Sequence, residues 1–235
     1  MASFSIGLSL LSSNMLKKTD RREQLSAEGR RILSLLEGRP SVDNDIVREA
    51  NGRPYFQDRR ADFSISHSEA ATAVSLVRGE KLRTGCDIQV VKARASTMKI
   101  AEVFFSAAER DYIFSRETNK DSEIKFFEIW TLKECFLKLR GLPVFDMSNA
   151  PSFVCDAGPD QGHFALGAAV PSPLSFYVYG LPGHSGEQYL LAVAIEGSEQ
   201  LRPEIRWFSQ SFLPARSIAE IKAAASPAET VSPKI

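Results

Sequence analysis

Apolar and polar positions alternate at the start of the chain: Phe4, Ile6, Leu8 and Leu10 are separated by Ser5, Gly7 and Ser9. That period of two predicts a β-strand, followed by a turn before Leu16. From Arg21 to Leu36 the spacing of Leu25, Ile32, Leu35 and Leu36 changes to that of an amphipathic helix, stopped by Gly38 and Pro40. A second helical piece is expected over Asp43–Ala50, before Asn51-Gly52-Arg53-Pro54 turns the chain. Short β-like runs follow at Phe63–Ser66, Ala71–Val77 and Thr84–Val91.

After Arg94 the pattern becomes helical. Ser96–Phe104 reads as one helix, and Ser106-Ala107-Ala108-Glu109 has the form of a capping box that opens another. In the next helix Phe126, Ile129, Trp130, Cys135, Phe136 and Leu139 recur close to a 3.6-residue turn. Beyond Gly141 and Pro143 strands are expected at Ser152–Cys155, His163–Ala169, Leu174–Tyr179, Gln188–Ile195 and Ile205–Phe208, with a short helix after Pro214. The order predicts an α+β fold of two halves that meet near residues 92–103, with no sequence repeat between them. The corresponding division is residues 1–95, 96–213 and a tail, 214–235.

Totals narrow the function classes. The 235 residues are 43% hydrophobic and 25% charged, as in ordinary globular proteins. Lys plus Arg equals Asp plus Glu at 29 each, so no global field draws nucleic acid or an anionic membrane. Basic residues nevertheless crowd the first forty positions (Lys17, Lys18, Arg21, Arg22, Arg30, Arg31, Arg39), as a solvated helix face or a local anion-binding surface. Cys86, Cys135 and Cys155 form no CxxC, and three histidines (His67, His163, His184) are too scattered for a histidine-based metal site. No signal peptide or membrane-length run is visible, so the expected location is the cytoplasm.

Candidate chemistry lies in three places. On the long helix Trp130, Lys133, Glu134 and Lys138 stand at i, i+3, i+4 and i+8 and project from one broad face. A carboxylate between two ammonium groups could hold a metal and a phosphate together; it could equally be a surface face of ion pairs. In Gly85-Cys86-Asp87-Ile88-Gln89, strand geometry puts Asp87 and Gln89 on one face and Cys86 and Ile88 on the other. Two hard oxygen donors side by side suit magnesium better than a softer metal. Phe63-Ser64-Ile65-Ser66-His67-Ser68 places three hydroxyls on one face and an imidazole beside them, groups that can meet phosphate oxygens.

Taken in order, Gly52-Arg53-Pro54, Phe63–Ser68, Gly85–Gln89, Phe105-Ser106-x-x-Glu109 and Trp130-Thr131-Leu132-Lys133-Glu134-x-x-x-Lys138 resemble the 4'-phosphopantetheinyl transferase superfamily. The length resembles its surfactin-synthetase-activating type, a monomer of two pseudo-symmetric halves. The resemblance implies an antiparallel sheet packed against helix in each half, with the active site in the cleft between them. It also implies a magnesium-dependent enzyme that moves 4'-phosphopantetheine from coenzyme A to a serine of an apo acyl or peptidyl carrier protein, with no nucleic-acid or membrane partner. By resemblance Asp87, Gln89 and Glu134 are the magnesium ligands, and Glu134, Lys138 and Asp87 are catalytic. Gly52, Arg53, Pro54, Ser66, His67, Lys133 and Lys138 hold coenzyme A, and an arginine among 21, 22, 30 and 31 meets its 3'-phosphate. Two positions depart from the family pattern: Gln89 stands for a usual glutamate and Arg53 for a more frequent lysine. The first departure favours a second reading, a coenzyme A-binding paralogue that has lost catalysis and serves as a sensor or partner.

Overall fold

A computed structural model describes residues 2–11, 16, 19–93, 96–115, 118–155, 162–165, 173–197, 201–208 and 216–223. Lys17, Lys18, Arg94 and most of the tail lie outside these residues. In chain order the elements are β1 (Ser3–Leu10), α1 (Arg21–Glu37), β2 (Ile46–Arg48), β3 (Pro54–Phe56), β4 (Asp62–Ser68), β5 (Ala71–Arg78) and β6 (Arg83–Val91). Then come α2 (Thr97–Phe104), α3 (Ala107–Phe114), α4 (Asn119–Arg140), β7 (Ser152–Cys155), β8 (Gly162–Ala165), β9 (Leu174–Pro182), β10 (Gln188–Glu196), β11 (Glu204–Trp207) and β12 (Arg216–Ala223).

Two main sheets form, in strand orders β11-β1-β5-β4 and β6-β10-β9-β12-β8-β7. Most pairs are antiparallel; β1–β11 and β12–β8 are parallel. The period-two pattern sorts the side chains into layers. Ile6 and Leu8 of β1, Cys86, Ile88 and Val90 of β6, and Leu191 and Val193 of β10 fill the space between the sheets. Leu190, Ala192 and Ala194 of β10 point the other way, into a core with α4. Ile32, Leu33 and Leu36 of α1 pack with Phe63, Val74 and Leu76 on the outer face of the first sheet. The fold is therefore α+β, helix–sheet–sheet–helix, with each sheet backed by a long helix.

β6 joins the two sheets. One of its edges pairs with β10, Asp87 opposite Ala192. The other edge runs along β4 with no main-chain ladder; β4 side chains bridge the gap at a constant offset. Asp62 accepts from the Thr84 N–H (2.8 Å), Ser66 from Ile88 (3.2 Å) and Ser68 from Val90 (3.1 Å). Between them the Cys86 thiol donates to the Ser64 carbonyl. Serines at alternate positions of β4 thus satisfy backbone donors that an unpaired edge would leave open.

Two local expectations are corrected. The stretch 43–50 is not a helix: after a single 3-10 turn at Asp43–Asp45, β2 pairs with β3, Val47 opposite Tyr55. The Asn51-Gly52 turn, with Gly52 at φ 86°, folds the chain back so soon that β-branched Ile46 and Val47 find a strand partner. The tail segment 216–223 is a strand against β9, with a register shift between Ser217 and Ala219. The capping box stands as expected: Ser106 accepts from the Glu109 N–H and Glu109 accepts from the Ser106 N–H. Among the described residues no helix is long and apolar enough to cross a membrane.

Candidate active site

At Gly85 the backbone of β6 lies directly against α4. A methyl group there would lie 2.4 Å from the Cys135 carbonyl oxygen and 2.9 Å from the Leu139 nitrogen. No side chain fits that gap, so glycine lets the helix backbone lie almost on the strand. A glycine inside an apolar strand was the available sequence signal. Asp87, the next residue on the same face of β6, consequently reaches α4. The helix is buried on nearly every side, including Phe127, Leu132, Cys135 and Leu139. Gly141, in left-handed conformation at φ 69°, ends it by donating to the Lys138 and Leu137 carbonyls.

Asp87 is only 1% exposed, and both its oxygens are engaged. Oδ1 accepts from Lys138 Nζ at 2.6 Å and from Ser66 Oγ at 2.8 Å; Oδ2 accepts from Gln89 Nε2 at 3.0 Å. Lys138 also donates to Ser66 Oγ at 2.7 Å, which saturates that hydroxyl. β4, β6 and α4 thus meet in one network, in which the Lys138 side chain remains a third exposed. Burial is the largest influence and opposes its positive charge, but Asp87, Cys86 and Glu134 together outweigh it, and the pKa is raised. Glu134, half-buried, stands one turn before Lys138. Asp87, Gln89, Ser66 and Lys138 are therefore brought into one network, and the charge of Glu134 acts on Lys138.

A cavity of about 250 Å³ opens beside Lys138, lined by Gly52, Arg53, Pro54, Phe63 and Leu142 among others. His67 flanks the network on β4, half-buried. Burial, then the charges of Lys138 and Arg22, lower its pKa, so the imidazole is neutral near pH 7. Of the four N-terminal arginines, Arg21 pairs with Glu69, Arg30 with Asp43 and Arg31 with Glu28. Arg22 is the one whose charge reaches His67.

Two expected ligand-holding residues have other engagements. Lys133 points into the core: it is 1% exposed, 3.2 Å from Glu109 Oε1, and donates to the Pro151 carbonyl. Arg53 is 7% exposed and bonded to Asp62, Thr84 and Lys138. Trp130 packs on Phe126, ring centroids 6.0 Å apart.

The donor set suits a small hard cation. Asp87, Glu134 and the Gln89 amide supply oxygen atoms, and magnesium needs only one or two carboxylates when water and substrate phosphates complete its shell. Among the described residues no cluster of three or more His, Cys, Asp or Glu side chains is placed to hold a metal ion. In the free protein the Lys138 ammonium neutralises Asp87.

Residues 83–194, which run from β6 through α4 to β10, match the sequence model of the 4'-phosphopantetheinyl transferase superfamily. A Haemophilus influenzae protein whose name marks it as a proposed 4'-phosphopantetheinyl transferase is 37% identical over 112 residues, 47% of this chain and 46% of that one. The Nostoc 4'-phosphopantetheinyl transferase HetI is 32% identical over 147 residues, 56% of this chain and 60% of its own. The 4'-phosphopantetheinyl transferase gsp of Aneurinibacillus migulanus is 34% identical over 111 residues, 47% of this chain and 43% of its own. The chain spans about half the length of the curated relatives it matches.

Proposed function

We propose that this chain, whose residues 83–194 match the 4'-phosphopantetheinyl transferase superfamily, transfers 4'-phosphopantetheine from coenzyme A to a serine of an apo acyl or peptidyl carrier protein, releasing 3',5'-ADP. The carrying observation is the Asp87–Ser66–Lys138 network, with Glu134 one turn away and Lys138 itself on the wall of an open cavity. In the proposed reaction the serine oxygen bonds to the phosphorus that bears pantetheine, and the bond from that phosphorus to 3',5'-ADP breaks. Little covalent work falls to the protein in such a transfer; placement and charge neutralisation dominate.

Each residue has a proposed task. Glu134 accepts the serine proton. Lys138, kept protonated by Asp87, delivers charge or a proton to the departing phosphate. Ser66 and His67 face the pyrophosphate, and Arg22 the 3'-phosphate. The backbone of the Gly52–Pro54 loop meets the nucleotide in the cavity. Asp87, Gln89 and Glu134 would hold magnesium, which when bound supplies Lewis-acid neutralisation of the pyrophosphate. The protein is proposed to act as a monomer in the cytoplasm, a compartment that suits the buried free thiols Cys86 and Cys135.

The test is to mix the protein with coenzyme A, magnesium and an apo carrier protein and to weigh the carrier by mass spectrometry. A gain of one phosphopantetheine is expected. Calorimetric coenzyme A binding without any mass gain across fatty-acid, polyketide and peptide carriers would replace this reading with that of a non-catalytic binder.

A further inference from the structure

The side chain of Arg53 forms part of the cavity wall, yet its hydrogen-bonding groups are spent on the protein. Nη1 and Nη2 form a bidentate pair with Asp62 at 3.0 and 2.7 Å. Nη2 also donates to the Thr84 carbonyl (3.1 Å), and Nε donates to the Lys138 carbonyl (3.1 Å). A guanidinium has five N–H groups, and four are used here. Asp62 closes the knot by accepting from the Thr84 N–H. The loop end is fixed as well: Asn51 accepts from the Arg53 N–H, and a methyl group on Gly141 would lie 2.5 Å from the Asn51 amide.

Four parts of the molecule meet at this one planar cation: the 51–54 loop, β4, β6 and the C-terminal turn of α4. The Lys138 carbonyl lies in that last turn, where helix carbonyls lack intrahelical donors and a cation is favoured by the helix dipole. The same residue carries the ammonium that grips Asp87, three residues along β6 from Thr84. Arg53 therefore ties both ends of the Lys138–Asp87 contact to one point.

We infer that Arg53 is a positioning residue: its guanidinium sets the distance between Lys138 and Asp87, and coenzyme A meets the loop's backbone instead of this side chain. The catalytic consequence rests on the proposed transferase reading; the mechanical part does not. A lysine would keep the charge but could not bond Asp62, Thr84 and Lys138 together, because an ammonium lacks the planar fork.

The experiment compares the intact protein with Arg53→Lys and Asp62→Asn. Asp62 lies behind Arg53, on the lining of a separate cavity with Arg83 and Arg140, so Asp62→Asn loosens the strut without removing a group from the coenzyme A side. In both variants amide exchange at residues 138–142 and at Thr84 should accelerate at least tenfold. Both should lose roughly ten- to a hundredfold in kcat, as expected when catalytic groups are misplaced by about an ångström, with coenzyme A affinity within about threefold of the parent. The inference is overturned if Arg53→Lys weakens coenzyme A binding tenfold or more while amide exchange stays as in the parent. It is also overturned if Asp62→Asn leaves both exchange and kcat unchanged. Should the parent transfer nothing to any carrier, the transferase reading fails, and the exchange rates of the two variants still decide whether Arg53 is the strut. If Arg53→Lys does not fold, the milder Asp62→Asn decides alone by the same exchange and kcat criteria.

Discussion

Lys133 and Lys138 leave the same helix little more than a turn apart, and each meets a carboxylate, but in opposite surroundings. Lys133 and Glu109 are closed off at 1% and 0% exposure, and Glu109 also accepts from the Ser106 and Phe153 N–H groups. Burial there lowers the Lys133 pKa, with Glu109 only partly opposing it. Lys138 keeps a third of its side chain in the cavity, and the carboxylates around it raise its pKa. A lysine–carboxylate pair sealed in the core fixes α3 to α4; one that opens on a cleft can exchange its partner for a ligand. Both pairs look alike in sequence, and solvent access separates them.

The largest effects should come from the open pair. Asp87→Ala removes a proposed metal ligand and the group that orients Lys138, so carrier modification should be undetectable in a soluble protein. A variant that still modifies the carrier near the parent rate sinks the assignment. Lys138→Ala should slow transfer by roughly a hundredfold or more, the scale of losing one electrostatic stabiliser. Coenzyme A affinity should change much less, because the charge matters most as the phosphate departs. Complete loss of calorimetric coenzyme A binding would make Lys138 a substrate anchor and end its catalytic role.

The closed pair should respond in stability. Lys133→Met leaves Glu109 buried without its cation, a change that costs on the order of 3 kcal/mol. Two retained N–H donors to Glu109 keep the figure at the lower end of the range. For a chain of this size that is a fall in Tm of roughly 6–12 °C, with kcat of the folded protein within about threefold. A normal Tm together with collapsed turnover would put Lys133 in the chemistry after all, and the contrast between the two lysines would disappear.

The sequence pattern made these lysines hard to tell apart. Spacing alone places Trp130, Lys133, Glu134 and Lys138 on one broad face, but α4 mixes apolar and charged residues and buries some of both, so the pattern does not say which side faces a cavity. Strand alternation was more informative: Asp87 and Gln89 do share a face, and their side chains touch at 3.0 Å. Local signals such as the Ser106–Glu109 box and the strand at Ser152–Cys155 were legible because their causes are local. Long-range pairing was not. Nothing near Asp87 says that β6 lies against β10, or that Asp62, Ser66 and Ser68 cover its other edge. Arg53 shows the same limit, since its partners come from Asp62, Thr84 and Lys138.

A smaller effect should appear at His67, whose neighbours include Lys138 but not Lys133. Its lowered pKa means that the native state resists protonation while the unfolded chain does not. Its share of stability is therefore full above pH 6.5 and falls as pH drops below that value. A phosphate placed beside the ring reverses the preference and favours the imidazolium. NMR titration should give a His67 midpoint below 6.5 in the free protein and an upward shift once coenzyme A is bound. The same midpoint in both states would remove His67 from the phosphate site.

The smallest expected change sharpens the contrast from the side of the open pair. Gln89 donates its amide to Asp87, so the network holds one carboxylate where the family pattern would put two. In Gln89→Glu the amide donor is lost and a second anion is set against Asp87. Without a cation the like charges repel and the site loosens; with one, both carboxylates become hard ligands. The variant should therefore be slightly less stable than the parent in chelator. Magnesium should raise its Tm more, with a midpoint lower by up to roughly tenfold, about 1.4 kcal/mol of added binding. The same substitution cannot act on Lys133, which is walled off with Glu109 across the helix, so a magnesium-dependent Tm isolates the open pair. If the magnesium midpoint in thermal melts is unchanged or higher in Gln89→Glu, position 89 lies outside the coordination shell, and Asp87 and Glu134 must hold the cation without it.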